Sequence, residues 1–221
     1  MSISSHLKKI RRTLFSHNEG AASINFEKLM PAMTESELAL FDKHLQVSQV
    51  YVEFGSGGST NLAAKSQNLK KAYCVEADLA WLNSLKKSSA VRENIANGKL
   101  VLIHADIGPT KEWSKPTGKS YNQWPSYYWG TWKQLPNNAD FILIDGRFRV
   151  ACALFSLCMV ENHSQFRLAI HDYFDRPHYH IIEKYYDVTE SADTLGIFRA
   201  KSSISRQNVL LDLYAHFFDF R

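Results

Sequence analysis

The most informative stretch of this chain is Val50-Tyr51-Val52-Glu53-Phe54-Gly55-Ser56-Gly57-Gly58-Ser59-Thr60. A short run of β-branched and aromatic residues stops at three glycines, and the Ser-Thr pair that follows suits the start of a helix. A glycine turn lets the backbone approach a ligand closely, and the first turn of a helix offers free N–H groups. The stretch therefore predicts a strand, a ligand-binding loop and a helix, in that order.

Strand-like and helix-like segments alternate along the rest of the chain. Thr34 and Glu37 have capping-box spacing and predict a helix that ends near Val47. Further strands are predicted at 72–75, 100–104, 141–144 and 168–170, with helices at 59–67, 79–91, 150–160 and 177–186. Strands that are continuous apolar runs and alternate with helices indicate a parallel sheet covered on both faces. The predicted fold is α/β, a doubly wound and mostly parallel sheet.

Each predicted parallel strand is followed by an acid or by the glycine loop. The acids are Glu53 just before the loop, Glu76, Asp106, Asp145 and Asp172. In doubly wound sheets, ligands bind outside the carboxyl ends of the strands. The acids therefore predict a functional site along this one edge of the sheet.

Length and charge limit the organisation and the partners. The 221 residues suit one domain, which we place at residues 48–221, with residues 1–47 as an N-terminal helical extension packed on it. The net charge of +4 is too small to indicate a nucleic-acid-binding surface. A nucleic-acid partner is therefore a less favoured alternative, which would depend on lysines of the predicted helix faces: Lys65, Lys70, Lys71, Lys86 and Lys87.

The cysteines and the N-terminus indicate the compartment. The three cysteines include no C-x-x-C pair, which favours reduced thiols. Residues 1–13 carry four basic side chains but no apolar stretch after them, so they do not resemble a signal peptide. No window has about 18 consecutive apolar residues, as a membrane span requires. The expectation is a cytoplasmic protein without a membrane partner.

At the glycine loop the chain resembles a known family, the Rossmann-like (class I) S-adenosylmethionine-dependent methyltransferases. Glu53-Phe54-Gly55-Ser56-Gly57 matches that family's first motif, E/D-x-G-x-G, and the resemblance extends over about residues 48–200. It implies a seven-stranded sheet that ends in an antiparallel hairpin, for which segments 186–189 and 195–198 are suited. It also implies that Glu76 binds the ribose hydroxyls and that Asp106 contacts the adenine amino group. The implied cofactor-binding residues are Glu53, Gly55, Ser56, Gly57, Gly58, Glu76 and Asp106.

Polar residues after the fourth and fifth strands are the candidates for catalysis. They are Asp145, Arg147, Arg149, His171 and Asp172. A hydroxyl acceptor must lose a proton during methyl transfer, and a neutral imidazole is suited to accept it. We therefore assign His171 as the general base, with Asp172 and Asp145 as its catalytic partners.

A metal is the open alternative at the same position. Asp145 and Asp172 also resemble the magnesium-binding acids of the catechol-type O-methyltransferases, which have an Asn beside the second acid. This chain has Tyr173 there, and a phenol is a poor magnesium ligand. The metal ligands stay unassigned, and magnesium is possible but less favoured than a metal-free route.

Segment 107–139 is the second region of interest, because four of the five tryptophans lie in it: Trp113, Trp124, Trp129 and Trp132. Its length and aromatic content predict a lid or acceptor wall beside the cofactor, and the alternative is a cluster packed on the sheet edge.

The predicted function is S-adenosylmethionine-dependent methyl transfer to a small molecule or sugar, at oxygen. One alternative is an NAD(P)-binding oxidoreductase, which Thr60 at the third glycine position of the dinucleotide fingerprint disfavours. Another is a non-catalytic protein that keeps the cofactor. A homo-oligomer is possible.

Overall fold

A computed structural model describes residues 24–221 of the chain. The first half of the predicted extension and the basic residues near the N-terminus lie outside this range. No helix in residues 24–221 combines the length and the apolar character needed to cross a membrane.

One seven-stranded sheet organises the chain. Its strands, numbered in chain order, are β1 Val50–Phe54, β2 Lys71–Glu76, β3 Leu100–His104, β4 Phe141–Ile144, β5 Arg167–Ile170, β6 Tyr186–Ala192 and β7 Leu195–Ala200. The spatial order is β3-β2-β1-β4-β5-β7-β6, in which β7 runs antiparallel to β5 and β6. Both the doubly wound parallel sheet and the C-terminal hairpin are thus confirmed. A separate two-residue ribbon pairs Thr110–Lys111 with Lys115–Pro116.

In residues 24–221, six α-helices accompany the sheet: α1 Glu35–Gln46, α2 Gly58–Lys65, α3 Leu79–Leu85, α4 Ser89–Ala96, α5 Arg149–Met159 and α6 Arg206–Ala215. The capping box of α1 is present, with Thr34 at the N-cap and Glu37 reaching back. Residues Pro177–Lys184, predicted as a helix, form a 3₁₀-helix.

The predicted helix over 79–91 is two helices, and the break has a local cause. The side chain of Ser88 is buried between them and its hydroxyl donates to Asn61 Oδ1 at 2.8 Å. The carboxylate of Glu27 accepts the backbone N–H of Ser89 at 2.7 Å at the start of α4. These long-range contacts stabilise the start of a second helix at Ser89, which the spacing of apolar residues does not predict.

Apolar cores on the two faces of the sheet position the site at its edge. Alternate residues of the strands enter different cores: Phe54 and Ile144 pack with α5, whereas Tyr51 and Leu143 pack with Phe41 of α1. Helices therefore cover both faces, and the carboxyl ends of the strands remain as the place for a ligand.

Candidate active site

A cavity of about 390 Å³ lies at the carboxyl ends of β1, β2 and β4. Its wall combines the glycine loop with residues from five other parts of the chain: Leu29, Met30, Pro31, Ala32, Gly55, Ser56, Gly57, Gly58, Ser59, Glu76, Asp78, Trp81, Glu112, Trp113, Ser114, Tyr127, Asp145, Gly146, Arg147, Arg149 and Arg176. The volume is in the range of small-molecule sites.

The glycines of the loop allow three backbone segments to meet. Gly55 has a φ of +100°, and a Cβ there would lie 2.6 Å from the backbone nitrogen of Gly146. A Cβ on Gly58 would lie 1.9 Å from the carbonyl carbon of Met30. Side chains at either position would push the neighbouring backbone away, so both glycines are needed for the shape of this cavity.

Residues 29–32, which we call the N-terminal strap, close the cavity over the glycine loop. The side-chain amide of Asn61 in α2 donates to the carbonyl of Leu29 at 3.0 Å. Just before the strap, Lys65 donates to the carbonyl of Glu27 at 2.8 Å. The sequence pattern did not predict that this segment reaches the site. The strap can lie there because Gly58 has no side chain, and that close approach is visible only in the folded chain.

Glu53 supports the loop from beneath and is absent from the cavity wall. It is fully buried, and its carboxylate accepts hydrogen bonds from the hydroxyls of Thr60 and Tyr51, the latter at 2.9 Å. Thr60 in turn accepts the backbone N–H of Gly57 at 2.9 Å. Burial raises the pKa of Glu53. This acid therefore fixes the loop conformation through Thr60.

Glu76 lies in the wall, beside the glycine loop. Its carboxylate accepts the backbone N–H groups of Ser56 at 3.2 Å, Ala77 at 2.7 Å and Asp78 at 3.0 Å, as well as the hydroxyl of Ser114. Burial raises its pKa, and these donors act in the opposite direction. These donors are neutral, so within residues 24–221 Glu76 presents to the cavity an acceptor that is not paired with a cation.

Asp106 is not brought together with the other predicted cofactor residues. Its side chain is exposed, accepts the backbone N–H of Gly108 at 2.9 Å, and is not part of the wall. An aromatic residue that does line the cavity is Trp81 in α3, whose indole N–H donates to the carbonyl of Ser56 in the glycine loop at 2.8 Å.

His171 is held between two carboxylates. The ring is 3% exposed, with Nδ1 at 3.0 Å from Asp145 Oδ1 and Nε2 at 3.4 Å from Glu37 Oε2. Burial alone lowers the pKa of an imidazole, but Asp145 outweighs it and, with Glu37, raises the pKa of His171 to about 10. The imidazole is thus protonated at neutral pH with both nitrogens engaged. This arrangement argues against the predicted general base.

Glu37 is a site-supporting residue that sequence reasoning identified only as a helix cap. Besides His171, its carboxylate accepts the backbone N–H of Thr194 at 2.9 Å and that of Thr34 at 2.8 Å. Burial acts to raise its pKa, but the hydrogen bonds from His171 and Thr194 prevail and lower it to about 2. Glu37 therefore ties α1 to β5 and to the turn of the C-terminal hairpin.

The two acids proposed as metal ligands are covered by guanidinium groups. Arg149 Nη2 lies 3.2 Å from Asp145 Oδ1 and 3.4 Å from Asp172 Oδ2, and Arg176 Nη2 lies 2.7 Å from Asp172 Oδ2. Ligand atoms of Asp145, His171 and Asp172 do lie within 4.8 Å of one another. Because every one of them already faces a cation or carries a proton, this donor set does not fit a magnesium ion.

Most of the aromatic segment packs in the core. Trp124 and Trp132 are 5% exposed and belong to the core on the α5 face, whereas Trp129 is about half exposed and stacks on Phe155 with ring centroids 5.8 Å apart. Only Trp113 and Tyr127 of its aromatic residues line the cavity.

Trp113 and Ser114 form the part of the segment that reaches over the cavity. Both have a positive φ, 64° and 54°, which is uncommon for residues with side chains. The hydroxyl of Ser114 donates to Glu76, and the carbonyl of Trp113 accepts from Arg147 Nε at 2.7 Å. The wall therefore comes from this short turn and not from the tryptophan cluster as a whole.

Comparison with known proteins gives matches of structure only. No protein-family model matches the sequence, and neither does any curated protein. A methyltransferase-like protein from Silicibacter pomeroyi DSS-3 is 26% identical with a TM-score of 0.73, covering 85% of this chain and 96% of its own.

Two more distant structures are an O-methyltransferase from Bacillus cereus in complex with SAH and the N-methyltransferase NodS from Bradyrhizobium japonicum WM9. The first is 11% identical with a TM-score of 0.48, covering 89% of this chain and 90% of its own. The second is 12% identical with a TM-score of 0.46, covering 76% and 96%. Of the three, only the Silicibacter protein is similar enough to support an argument about this chain.

Proposed function

We propose that the chain is a Rossmann-like (class I) S-adenosylmethionine-dependent methyltransferase that transfers a methyl group to an oxygen atom of a small molecule, and its similarity to the Silicibacter methyltransferase-like protein supports this. The cofactor supplies a methyl group on a sulfonium, which an aligned nucleophile can attack directly. The chain's part is then to hold both reactants in line and to exclude water.

The position of Glu76 carries the cofactor assignment. Its carboxylate borders the same cavity as Gly55–Gly58, and a carboxylate can accept from two adjacent hydroxyls such as those of a ribose. The ring of Trp81 adds an apolar surface beside it. We assign Gly55, Ser56, Gly57, Gly58 and Glu76 to cofactor binding, with Glu53 as the support of the loop.

The limited volume of the cavity and the segments that border it support a small acceptor. The N-terminal strap and the turn at Trp113 both contribute to the wall, and the cavity is about 390 Å³. A polymeric acceptor such as a nucleic acid needs an open groove with phosphate-binding side chains along it.

Binding to S-adenosylhomocysteine and to NADH, measured by calorimetry, tests this proposal. We expect saturable binding of S-adenosylhomocysteine and none of NADH, because the hydroxyl of Thr60 is committed to Glu53 in the place of the third fingerprint glycine. Binding of NADH in preference to S-adenosylhomocysteine would instead identify a dinucleotide site.

A further inference from the structure

Three guanidinium groups line one end of the cavity, those of Arg147, Arg149 and Arg176, which we call the arginine end. Arg149 and Arg176 are paired with Asp145 and Asp172, as described above. Arg147 makes no ion pair with any acid in residues 24–221. Its guanidinium donates a hydrogen bond from Nε to the backbone carbonyl of Trp113, which is a neutral partner. One cation of the arginine end thus lacks an anionic partner among the described residues.

The surroundings of Arg147 make this charge costly. Burial lowers the pKa of Arg147, and the neighbouring Arg149 lowers it further. His171, protonated behind Asp145, adds another positive charge to the same network. An anion that enters the cavity at Arg147 relieves this repulsion, and a guanidinium is the side chain that best matches the geometry of a carboxylate.

Among the described residues, the acids and the histidine at the arginine end are already engaged, so none of them is suited to take a proton from a hydroxyl. Both nitrogens of His171 face carboxylates, and Asp145 and Asp172 face guanidinium groups. Burial raises the pKa of Tyr127 well above its ordinary value, so this phenol stays neutral. A nucleophile that already carries its lone pair without a proton fits these walls better than an alcohol does.

On these grounds, and resting on the methyl transfer proposed above, we propose that the acceptor is a small carboxylate held by Arg147 and that the product is its methyl ester. One carboxylate oxygen attacks the methyl carbon, the C–S bond breaks, and its electron pair stays on sulfur. An anionic carboxylate and a sulfonium become a neutral ester and a neutral thioether, so charge balances and no proton is released.

The cofactor has a carboxylate of its own, which is the other group that could bind to Arg147. That group stands next to the cofactor's own ammonium, so the amino-acid end brings no net negative charge to the arginine end. The sulfonium adds a further positive charge. An anionic acceptor therefore offsets the charge of Arg147 more fully than the zwitterionic end of the cofactor does.

The direct test is binding of small acids to the complex with S-adenosylhomocysteine, by calorimetry. The probes are acetate, butyrate, benzoate and phenylacetate, each against its uncharged amide. We expect at least one acid to bind and its amide not to bind. We expect Arg147→Gln to weaken that binding about tenfold or more, with partial recovery in Arg147→Lys. Arg199→Gln, an exposed arginine outside this cavity, is the matched control.

Three results would overturn the proposal: none of the acids binds, the acids bind as tightly to Arg147→Gln as to the unaltered protein, or the amides bind equally well. A second titration distinguishes the carboxylate of the cofactor from that of the acceptor. Arg147→Gln is titrated with S-adenosylhomocysteine and with 5′-methylthioadenosine, which lacks the amino-acid end. We expect both affinities to be unchanged. If only S-adenosylhomocysteine binds more weakly, Arg147 takes the cofactor's carboxylate and the proposal fails.

The chemical test uses methyl-tritiated S-adenosylmethionine and the small-molecule fraction of a cell extract. Label transferred to a methyl ester is released as methanol by mild base, whereas label in an ether or an amine is retained and would overturn the proposal. If the unaltered protein does not bind S-adenosylhomocysteine, the proposed methyltransferase function itself is contradicted. Intact binding of S-adenosylhomocysteine with failure of the carboxylate arm removes only the carboxylate acceptor.

Discussion

The two sides of the cavity are built from similar residues at equivalent places in the fold, and they differ in what faces each acid. At the end of β2, Glu76 is surrounded by backbone N–H groups and the hydroxyl of Ser114. At the ends of β4 and β5, Asp145 and Asp172 are covered by Arg149, and His171 donates to the first of them. The β2 side therefore offers a hydrogen-bond acceptor, and the β4–β5 side offers positive charge.

This difference teaches that an acid after a strand indicates where a site lies and not what the acid does there. Neutral donors leave a carboxylate able to accept further hydrogen bonds from a ligand, as we propose for Glu76. A carboxylate that is paired with a buried cation has a structural role instead, because removal of either ion would leave the other one buried without compensation. The same residue type thus serves binding on one side and folding on the other.

The largest effect is expected from removal of Arg149 on the β4–β5 side. Arg149→Gln leaves Asp145 and Asp172 with less compensation in a buried position, and we expect the free energy of unfolding to fall by about 3–5 kcal/mol. Denaturant unfolding measures this, with the exposed Arg199→Gln expected to change it by less than about 0.5 kcal/mol. A loss below about 1 kcal/mol in Arg149→Gln would mean that the acids do not depend on this guanidinium.

The next effect is a pH dependence of stability that comes from His171. Its pKa is about 10 in the folded protein against 6.5 for the free group, so the stabilisation is fully present below pH 6.5 and is lost as pH rises towards 10. We expect the free energy of unfolding to fall by roughly 2–4 kcal/mol more in the unaltered protein than in His171→Gln over this interval.

The control for this pH dependence is His163→Gln, since Nε2 of His163 lies 2.7 Å from the carbonyl of Leu157, away from any acid of the network. It should leave the pH profile unchanged. Equal profiles for His171→Gln and the unaltered protein would show that His171 is neutral, and would bring back the general-base hypothesis.

A smaller effect, on affinity instead of stability, is expected on the β2 side. Glu76→Ala should weaken binding of S-adenosylhomocysteine by about 1.5–3 kcal/mol, the range for hydrogen bonds to a charged group. Asp106→Ala sharpens the comparison, since its exposed side chain is outside the wall and we expect a change of less than about twofold. Equal losses in the two variants, measured by calorimetry, would restore Asp106 as a cofactor ligand.

No effect is expected from magnesium on the β4–β5 side. Titration of magnesium into the complex with S-adenosylhomocysteine should give no saturable heat, because Arg149 and Arg176 already neutralise the two acids. A chelator should leave the affinity for S-adenosylhomocysteine unchanged. Saturable binding that is lost in both Asp145→Ala and Asp172→Ala would contradict the paired arrangement.

The strands, the order of elements and the glycine loop could be predicted because they depend on local patterns. The run Val50–Phe54 and its loop were found at their observed positions, as was the capping box of α1. The break at Ser88 could not be predicted, since it depends on Asn61 and Glu27 from elsewhere in the chain. The strap over the loop escaped prediction for the same reason.

The sheet and the edge on which the site lies follow from local sequence patterns, because strand periodicity and the turns between strands are properties of neighbouring residues. The protonation of His171 and the pairing of Asp145 and Asp172 depend on contacts that form only in the folded chain. Glu37, whose carboxylate also accepts from Thr194 at a separation of 157 positions, reaches His171 from another part of the chain. The charge state of a buried group follows from the groups around it in space, and spacing along the chain does not contain that information.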